Sequence, residues 1–343
     1  MFPYKTINFQ PMWQTHPLFH QQVTTCWFSH EPQVMGLDNF TFNFYKKIHH
    51  LQGCLAKRNT NVFGQVAQNK KCIRAWLLGT QQALCHQPSH FLLQLEQHLI
   101  AQYNAILYQE FLLWLMKSRI MWLSYGDTNT HFFHVQAKIK RTSQHIPTLK
   151  DESEEWLQGF DLHNHVTTHF QCLFQSGLLG ASLPPPQMLF SSSDFNPQAL
   201  CSTLIHFPDK EEICATLFAM HPLKFMGPDG FHAYFYQHNW QIVGADIVKF
   251  IQTLFITARI PEDLTQIKLV LIPKVPNPKF VTQLRPISLC NTLYKLLTKL
   301  LVNRLKPFLP AMIHPAQSGF VLGRWATDNY ILMQELRHFI HHQ

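Results

Sequence analysis

The sequence predicts a mostly α-helical chain with one small β element, an α+β fold, on three observations. Apolar residues recur at helical spacing over long stretches, most clearly between Leu99 and Leu115. One apolar run, 267–272, is short and is followed by prolines, which is typical of a strand. A basic segment, 291–306, returns to helical spacing. The 343 residues leave room for two domains with sizeable cores.

Residues 1–175 are predicted to form a helical N-terminal domain. Its first 50 residues are rich in aromatic side chains and are expected to form short helices. Gly126-Asp127 interrupts the helical pattern, and a further helix is predicted over 130–140, before Pro147. The apolar residues expected on one buried helical stripe are Leu99, Tyr103, Ile106, Leu107, Phe111, Trp114 and Leu115.

Residues 176–197 have the composition of a linker. Two glycines, a proline triplet and a serine triplet occur there, and Lys and Arg are absent. The prolines stiffen such a segment, and the serines and glycines loosen it. A domain boundary is therefore expected here, with a second domain over 198–343.

The first half of this second domain is predicted to be helical around a turn. Asp209 can cap a helix that continues to about Met220. The sequence Gly-Pro-Asp-Gly at 227–230 is a strong turn signal. One helix is expected to follow, from about residue 233 to 258.

A β-hairpin and a basic helix are predicted next. The run 267–272 is expected to pair with 285–289, because the prolines between them favour a turn. The helix over 291–306 carries Lys295, Lys299 and Lys306 within about 40° of one another. The residues expected on its apolar side are Leu293, Leu297, Leu300 and Leu301.

Composition favours a polyanionic partner and excludes several classes of protein. The formal net charge is +8 and the pI is about 9.0, which suits nucleic acid or an anionic surface. The eight cysteines contain no CxxC pair, so reduced thiols in the nucleus or cytoplasm are expected. No signal peptide and no membrane-spanning run is recognised, which predicts a protein that is not secreted.

Motifs for metal binding and covalent catalysis are not found. Although the chain has 22 histidines, none lies in a HExxH or paired-cysteine pattern, so no metal site is predicted. There is also no phosphate-binding loop of the GxxxxGK[ST] form and no GxGxxG. No catalytic residue is therefore assigned from the residues themselves.

Two sets of cations are candidates for binding phosphates. If the two strands form a hairpin, Lys274 and Arg285 can both lie near its tip, where an ammonium and a guanidinium together suit a triphosphate. The alternative is a pair of exposed strand-end cations. The lysines of the basic helix can follow a phosphate backbone, or they can simply form a solvated face.

The chain resembles the reverse transcriptases of non-LTR (LINE-type) retrotransposons, in particular the plant-type branch. In its first half the matching residues are Asn59, Val62-Phe63-Gly64, Lys117-Ser118-Arg119, Trp122-Leu123, Gly126-Asp127, Asn129-Thr130 and Phe132-Phe133-His134. In its second half they are Gly227-Pro228-Asp229-Gly230-Phe231, Leu271-Ile272-Pro273-Lys274, Arg285-Pro286-Ile287-Ser288-Leu289-Cys290-Asn291, Asn303-Arg304-Leu305-Lys306, Gly323-Arg324 and Asp328-Asn329.

The resemblance implies a connector between endonuclease and polymerase over 1–175, and the fingers of a right-hand RNA-directed DNA polymerase over 198–343. In such enzymes Lys274 and Arg285 would contact the triphosphate of the incoming nucleotide. RNA and DNA are the implied partners. The residues that would lie along template and primer are Lys295, Lys299, Lys306, Gly323 and Arg324.

The resemblance also implies what the chain is missing. The family's catalytic aspartates come after a pair like Asp328-Asn329, and the magnesium ions of the intact enzyme bind there. The expectation is a fragment without the palm core, which has no catalytic residue, binds no cofactor alone and is inactive by itself, so its status as an enzyme is left open. The alternatives are a residual nucleic-acid-binding module and a decayed product without function. Exposed apolar faces make chaperones expected partners.

Overall fold

The computed structural model describes residues 8–29, 37–59, 66–118, 130–175, 196–314, 317–319 and 321–341. It is mostly helical with two small antiparallel sheets, which confirms the predicted fold class. The helices before residue 176 are α1 Phe19–Phe28, α2 Leu37–Arg58, α3 Val66–His86, α4 His90–Ser118, α5 Thr130–Ser143 and α6 Gly159–Phe174. The later helices are α7 Pro197–Ile205, α8 Lys210–Phe218, α9 Ala233–His238, α10 Trp240–Thr257, α11 Glu262–Thr265, α12 Thr292–Leu305, α13 Leu309–Met312 and α14 Ala326–His341.

The strands form two separate two-stranded sheets, β1 Thr148–Lys150 with β2 Trp156–Gln158, and β3 Ile267–Pro273 with β4 Leu284–Cys290. The second sheet is the predicted hairpin. It is followed at once by the predicted basic helix, α12. Within the described residues, no helix is both long enough and apolar enough to cross a lipid bilayer.

The main hydrophobic core contains residues from the first part of the chain, 9–55, and from a later part, 213–300. Helices α1 and α2 pack against α10, and the rings of Phe44 and Phe250 stack with their centroids 4.6 Å apart. The indole of Trp27 donates a hydrogen bond of 2.8 Å to Asp246, which also pairs with Lys47 at 2.8 Å. Residues before and after 176–197 therefore share one core.

The predicted linker cannot be compared with the structure, because residues 176–195 lie outside the described residues. The division into 1–175 and 198–343 stays a prediction. Residues 60–65 and 119–129, which hold several of the motifs of the first half, are likewise not described.

Helices α3 and α4 pack side by side as a helical hairpin, and α5 packs on the C-terminal part of α4. The helical spacing of the apolar residues in α4 is confirmed, but of the predicted stripe only Leu99, Phe111 and Leu115 are buried, and the others are partly exposed. The predicted helix at 130–140 is α5, and its Phe133 packs edge-on against Phe111 at 5.7 Å.

The single helix predicted over 233–258 is wrong in one respect, because the structure divides it at Asn239. The Asn239 backbone leaves the helical region with φ −104° and ψ 22°. Its side-chain amide donates to the carbonyl of Phe235 at 2.9 Å, and its own N–H donates to the same carbonyl at 3.1 Å. The backbone bond closes the last turn of α9, and the side-chain amide adds the kind of local contact by which asparagine competes with further helical bonds, so that α9 ends at Asn239.

The predicted cap and the basic helix are confirmed. The carboxylate of Asp209 accepts a hydrogen bond of 2.6 Å from the N–H of Glu212 at the start of α8. Helix α12 buries Leu293, Leu297 and Leu300 as expected. Leu301, placed on the apolar side by the sequence, is 36% exposed, and Leu296 is buried instead.

Candidate nucleic-acid interface

The register of the β3–β4 hairpin decides where its cations point. Ile272 lies opposite Arg285, and the N–H of Lys274 donates to the carbonyl of Gln283 at 2.8 Å, one step beyond the last strand pair. Residues opposite one another share a face of the sheet, as do residues two apart on one strand. Lys274 and Arg285 are therefore diagonal neighbours on the same face, at a backbone separation of about 7–8 Å.

Both side chains are exposed, which leaves their charges accessible. The ammonium of Lys274 donates one hydrogen bond of 2.8 Å to the carbonyl of Thr282 and keeps two further N–H groups. Across the described ranges, neither Lys274 nor Arg285 takes part in an ion pair. The hairpin tip thus presents a compact and a planar cation together.

The other face of the hairpin is anchored. Leu284 is 2% exposed and packs with Leu149 and Phe170, which belong to the small β1–β2 unit and to α6. The N–H of Lys150 in β1 also donates to the carbonyl of Lys279 in the hairpin loop, at 2.6 Å. Packing on this side fixes the orientation of the hairpin and leaves its cationic face toward solvent.

The three lysines of the basic helix do not have the same surroundings. Lys299 and Lys306 are exposed, as a phosphate contact requires. Lys295 is half-buried, and its ammonium donates to the carbonyl of Phe225. Burial lowers the pKa of Lys295, and the nearby carboxylate of Asp229 opposes this effect. Lys295 thus contacts the protein itself, whereas the other two face solvent.

The Gly323-Arg324 segment is organised by the arginine. Gly323 has φ +79°, a left-handed conformation that favours glycine. The guanidinium of Arg324 donates four hydrogen bonds of 2.6–3.0 Å to one backbone carbonyl within α13 and three between α13 and α14. These bonds hold the loop in shape, and the role of Gly323 and Arg324 in binding template or primer stays a prediction. The four carbonyls belong to Pro310, Ile313, His314 and Gln317.

A polar junction that sequence reasoning missed joins the 227–230 turn to the end of the hairpin. The N–H of Asp229 donates to the side-chain oxygen of Asn291 at 3.0 Å, and the Asn291 amide donates to the carbonyl of Asp263 at 2.9 Å. The Thr292 hydroxyl donates to the carbonyl of Phe231 at 2.6 Å. The turn signal and the Asn before a helix were both visible, but their pairing across 62 residues was not.

Asp229 is a fully buried acid. Burial raises the pKa of its carboxyl to about 7, although the N–H of Phe231 and the charge of Lys295 act in the opposite direction. Burial also raises the pKa of Tyr236 beside it, and the Asp229 charge adds to that rise. A carboxyl in this setting is protonated for much of the range in which an exposed Asp is charged.

The raised pKa of Asp229 predicts a particular dependence of stability on pH. From about pH 4 to about pH 7 the folded protein holds a proton that the unfolded chain, with a pKa of 3.8, has released. Stability contributed by Asp229 is therefore greatest at low pH, falls across this range by roughly 4 kcal/mol, and levels off above it. In Asp229→Asn this decrease should disappear.

Urea denaturation at pH 5, 6, 7 and 8 measures the effect, and the difference between wild type and variant isolates Asp229 from the histidines. Asp209→Asn is the control, because it makes the same chemical change at an exposed helix cap. If Asp229→Asn loses stability with pH as steeply as the wild type, the inferred protonation of Asp229 is wrong.

No metal-binding group is found in the described parts of the chain, where no three His, Cys, Asp or Glu side chains converge. Asp328 instead accepts a hydrogen bond of 3.3 Å from the N–H of Trp325 at the start of α14. The described residues thus do not fit the magnesium ions that the resemblance implies, and no metal-dependent step is assigned to them.

Comparison with known proteins gives one informative similarity. Over 225 residues, 65% of the chain, it is 34% identical to the "Transposon TX1 uncharacterized 149 kDa protein" of Xenopus laevis. The matched part is 17% of that relative, so the chain spans less than a fifth of the length of the protein it matches. No protein-family model matches the chain. The similarity supports a transposon-related origin.

Proposed function

We propose that the chain is the nucleotide- and nucleic-acid-contacting part, the fingers with their upstream connector, of a non-LTR retrotransposon reverse transcriptase of the plant-type branch. The motif resemblance and the similarity to a transposon protein support this origin. The observation that carries the proposal is the hairpin register, which brings Lys274 and Arg285 onto one solvent-facing side.

In this proposal the hairpin holds the triphosphate of an incoming nucleotide. The guanidinium of Arg285 can bind two phosphate oxygens with its planar fork, and the ammonium of Lys274 can bind a third as a point charge. The packing of Leu284 behind the sheet keeps both strands in place while they do so. Template and primer RNA or DNA would pass along α12, where Lys299 and Lys306 are available to phosphates.

Lys295 and Arg324 have supporting roles in this arrangement. Lys295 ties α12 to the segment before the 227–230 turn through the Phe225 carbonyl, and Arg324 shapes the loop before α14. Because the described residues bring no carboxylate cluster together, we propose that the chain binds but does not extend a primer by itself. Magnesium-dependent primer extension by the purified chain would overturn this point.

The triphosphate site is tested by photo-crosslinking with 4-thiothymidine triphosphate. Replacing Lys274 and Arg285 by Gln removes two charged hydrogen-bonding groups, each worth about 1.5–3 kcal/mol, so crosslinking at limiting nucleotide should fall at least about tenfold. Lys268→Gln is the matched control, because Lys268 is exposed on the same face of β3 at the far end of the hairpin. Its crosslinking should stay within about twofold of wild type.

Two outcomes would contradict the proposal. Crosslinking that is unchanged in the double variant would remove the hairpin site, and an equal loss in Lys268→Gln would show a non-specific charge effect. If triphosphate binding is absent while RNA still binds with steep salt dependence, the chain is a nucleic-acid-binding module without a nucleotide site.

A further inference from the structure

Helix α5 carries a stripe of basic and imidazole side chains. His131, His134, Lys138 and Arg141 recur at steps of three, four and three residues, and His145 follows after four more, just beyond the helix end. These steps keep the first four on one side of α5. All five are exposed, and the four on the helix span about 15 Å at 1.5 Å per residue.

The opposite side of α5 holds the helix in position. Phe133 is 1% exposed and packs with Phe111 and Leu115 of α4. The ammonium of Lys140, on that side, donates a hydrogen bond of 2.7 Å to the carbonyl of Ser118. The stripe thus lies away from these two contacts, although His134 near its start touches Trp114 of α4.

The charge on this surface has one sign. No Asp or Glu occurs between residues 130 and 143, and in the described part of the chain no ion pair involves Lys138 or Arg141. A helix face that is merely exposed to solvent can carry acids and bases together, so exposure does not explain why only cations occur here. Repeated phosphates along a nucleic-acid strand are anions that match repeated cations on such a surface.

The stripe leads toward both an aromatic cluster and the hairpin. At its beginning His134 contacts the ring of Trp114 at 4.3 Å, and the ammonium of Lys117 lies 4.5 Å from the same ring. At its end the chain enters β1, whose Lys150 hydrogen-bonds the hairpin loop at Lys279. The cations of α5 and those of the hairpin are therefore linked through one short sheet.

We propose that α5 is a second nucleic-acid contact, where the stripe binds the sugar–phosphate backbone of an RNA strand outside the hairpin and α12 surface. The roughly 15 Å covered by the helical part of the stripe matches about five phosphates of a stacked strand at 3.4 Å per nucleotide. Exposed Ile139 and Val135 beside the stripe provide apolar contacts for sugars and bases. The choice of RNA as the partner rests on the proposed function. The basic surface of α5 is observed independently of that function.

The test compares two pairs of substitutions that differ only in location. Lys138→Gln with Arg141→Gln alters the stripe, and Lys71→Gln with Arg74→Gln alters exposed residues of α3. Each pair removes one Lys and one Arg three residues apart on a helix and lowers the formal net charge from +8 to +6. Binding of a 20-nucleotide single-stranded RNA is followed by fluorescence anisotropy from 50 to 300 mM NaCl.

The α5 pair should weaken binding about tenfold or more at 100 mM salt. It should also reduce the slope of log affinity against log salt by about 1.4, since each phosphate contact to a single strand contributes about 0.7. The α3 pair should leave the slope unchanged. Equal behaviour of the two pairs, whether both unchanged or both reduced alike, overturns the proposal. Circular dichroism checks that both remain helical.

Failure of this proposal can be told apart from failure of the hairpin site. The hairpin site is tested by triphosphate crosslinking of the Lys274/Arg285 variant. The substitutions in α5 should not alter that crosslinking. If triphosphate crosslinking behaves as expected but the α5 pair has no effect on RNA binding, only the proposed α5 contact is wrong. If the α5 pair loses RNA affinity but the wild type shows no triphosphate crosslink, only the proposal of the hairpin site is wrong.

Discussion

Replacing Arg304 by Met is expected to lower the free energy of unfolding by about 3–5 kcal/mol. Arg304 is 7% exposed, and its guanidinium binds the carboxylate of Glu212 through two hydrogen bonds of 2.8 and 2.6 Å. It also donates to the carbonyls of Leu204 and His206, and it lies over the ring of Phe255. One side chain therefore joins α12 to α7 and α8.

The loss is large because methionine leaves several polar groups in or near the interior without partners. Removing one member of a paired charge costs more than the pair itself contributes, since the remaining charge stays desolvated. Glu212 keeps partial contact with solvent, with 31% of its side chain exposed, which places the expected loss within the stated range rather than above it.

Urea denaturation followed by circular dichroism measures the change in free energy of unfolding. Arg304→Lys keeps the charge but cannot make the two-pronged contact, so its loss should be smaller than that of Arg304→Met. The double variant Arg304→Met with Glu212→Leu should recover part of the stability, because no unpaired carboxylate remains. A loss below about 1 kcal/mol in Arg304→Met would mean that this contact does not hold the three helices together.

Replacing Gly227 by Ala is expected to destabilise the fold by about 3 kcal/mol or more. A Cβ atom at this position would lie 2.4 Å from the backbone nitrogen of Asn291 and 2.5 Å from the backbone carbon of Cys290. Overpacking of a side chain costs about 1–3 kcal/mol. Backbone atoms at the end of β4 cannot rotate away as a side chain can, so the cost should reach or exceed the upper end.

Two other glycines provide controls for the same substitution. A Cβ at Gly53 in α2 or at Gly79 in α3 would meet no atom within 4 Å. Alanine favours a helix interior over glycine by about 0.5–1 kcal/mol, so these variants should be equally or more stable. Chemical denaturation of the three variants under one condition compares them. If Gly227→Ala is as stable as the controls, the close approach of the turn to Asn291 is not a constraint.

The close contact between the 227–230 turn and Asn291 also connects the stability of the fold to the proposed triphosphate site. The 227–230 turn contacts the residue that follows β4, and Lys295 reaches back from α12 to the segment before the turn. A displaced turn would shift the C-terminal end of β4. Because Arg285 lies near the other end of the same strand, its position would change as well. Partial loss of triphosphate crosslinking in Gly227→Ala is therefore expected alongside the loss of stability.

The sequence by itself determined the local elements. Helical spacing identified α4, α5 and α12, the capping Asp209 placed the start of α8, and prolines after an apolar run located the hairpin. These features depend on residues within a few positions of one another, so their physical causes are visible in the chain. Asn239 was the exception, since an Asn inside an apolar pattern ends a helix only when its amide turns back on the backbone.

The tertiary structure alone decided which elements meet and what each polar side chain does. The bond from Trp27 to Asp246 crosses 219 residues, and that from Arg304 to Glu212 crosses 92. Packing of α1 and α2 against α10 selects such partners, and no local pattern encodes them. For the same reason Lys295 and Arg324 are engaged by backbone carbonyls, whereas Lys299 and Arg285 remain open to solvent.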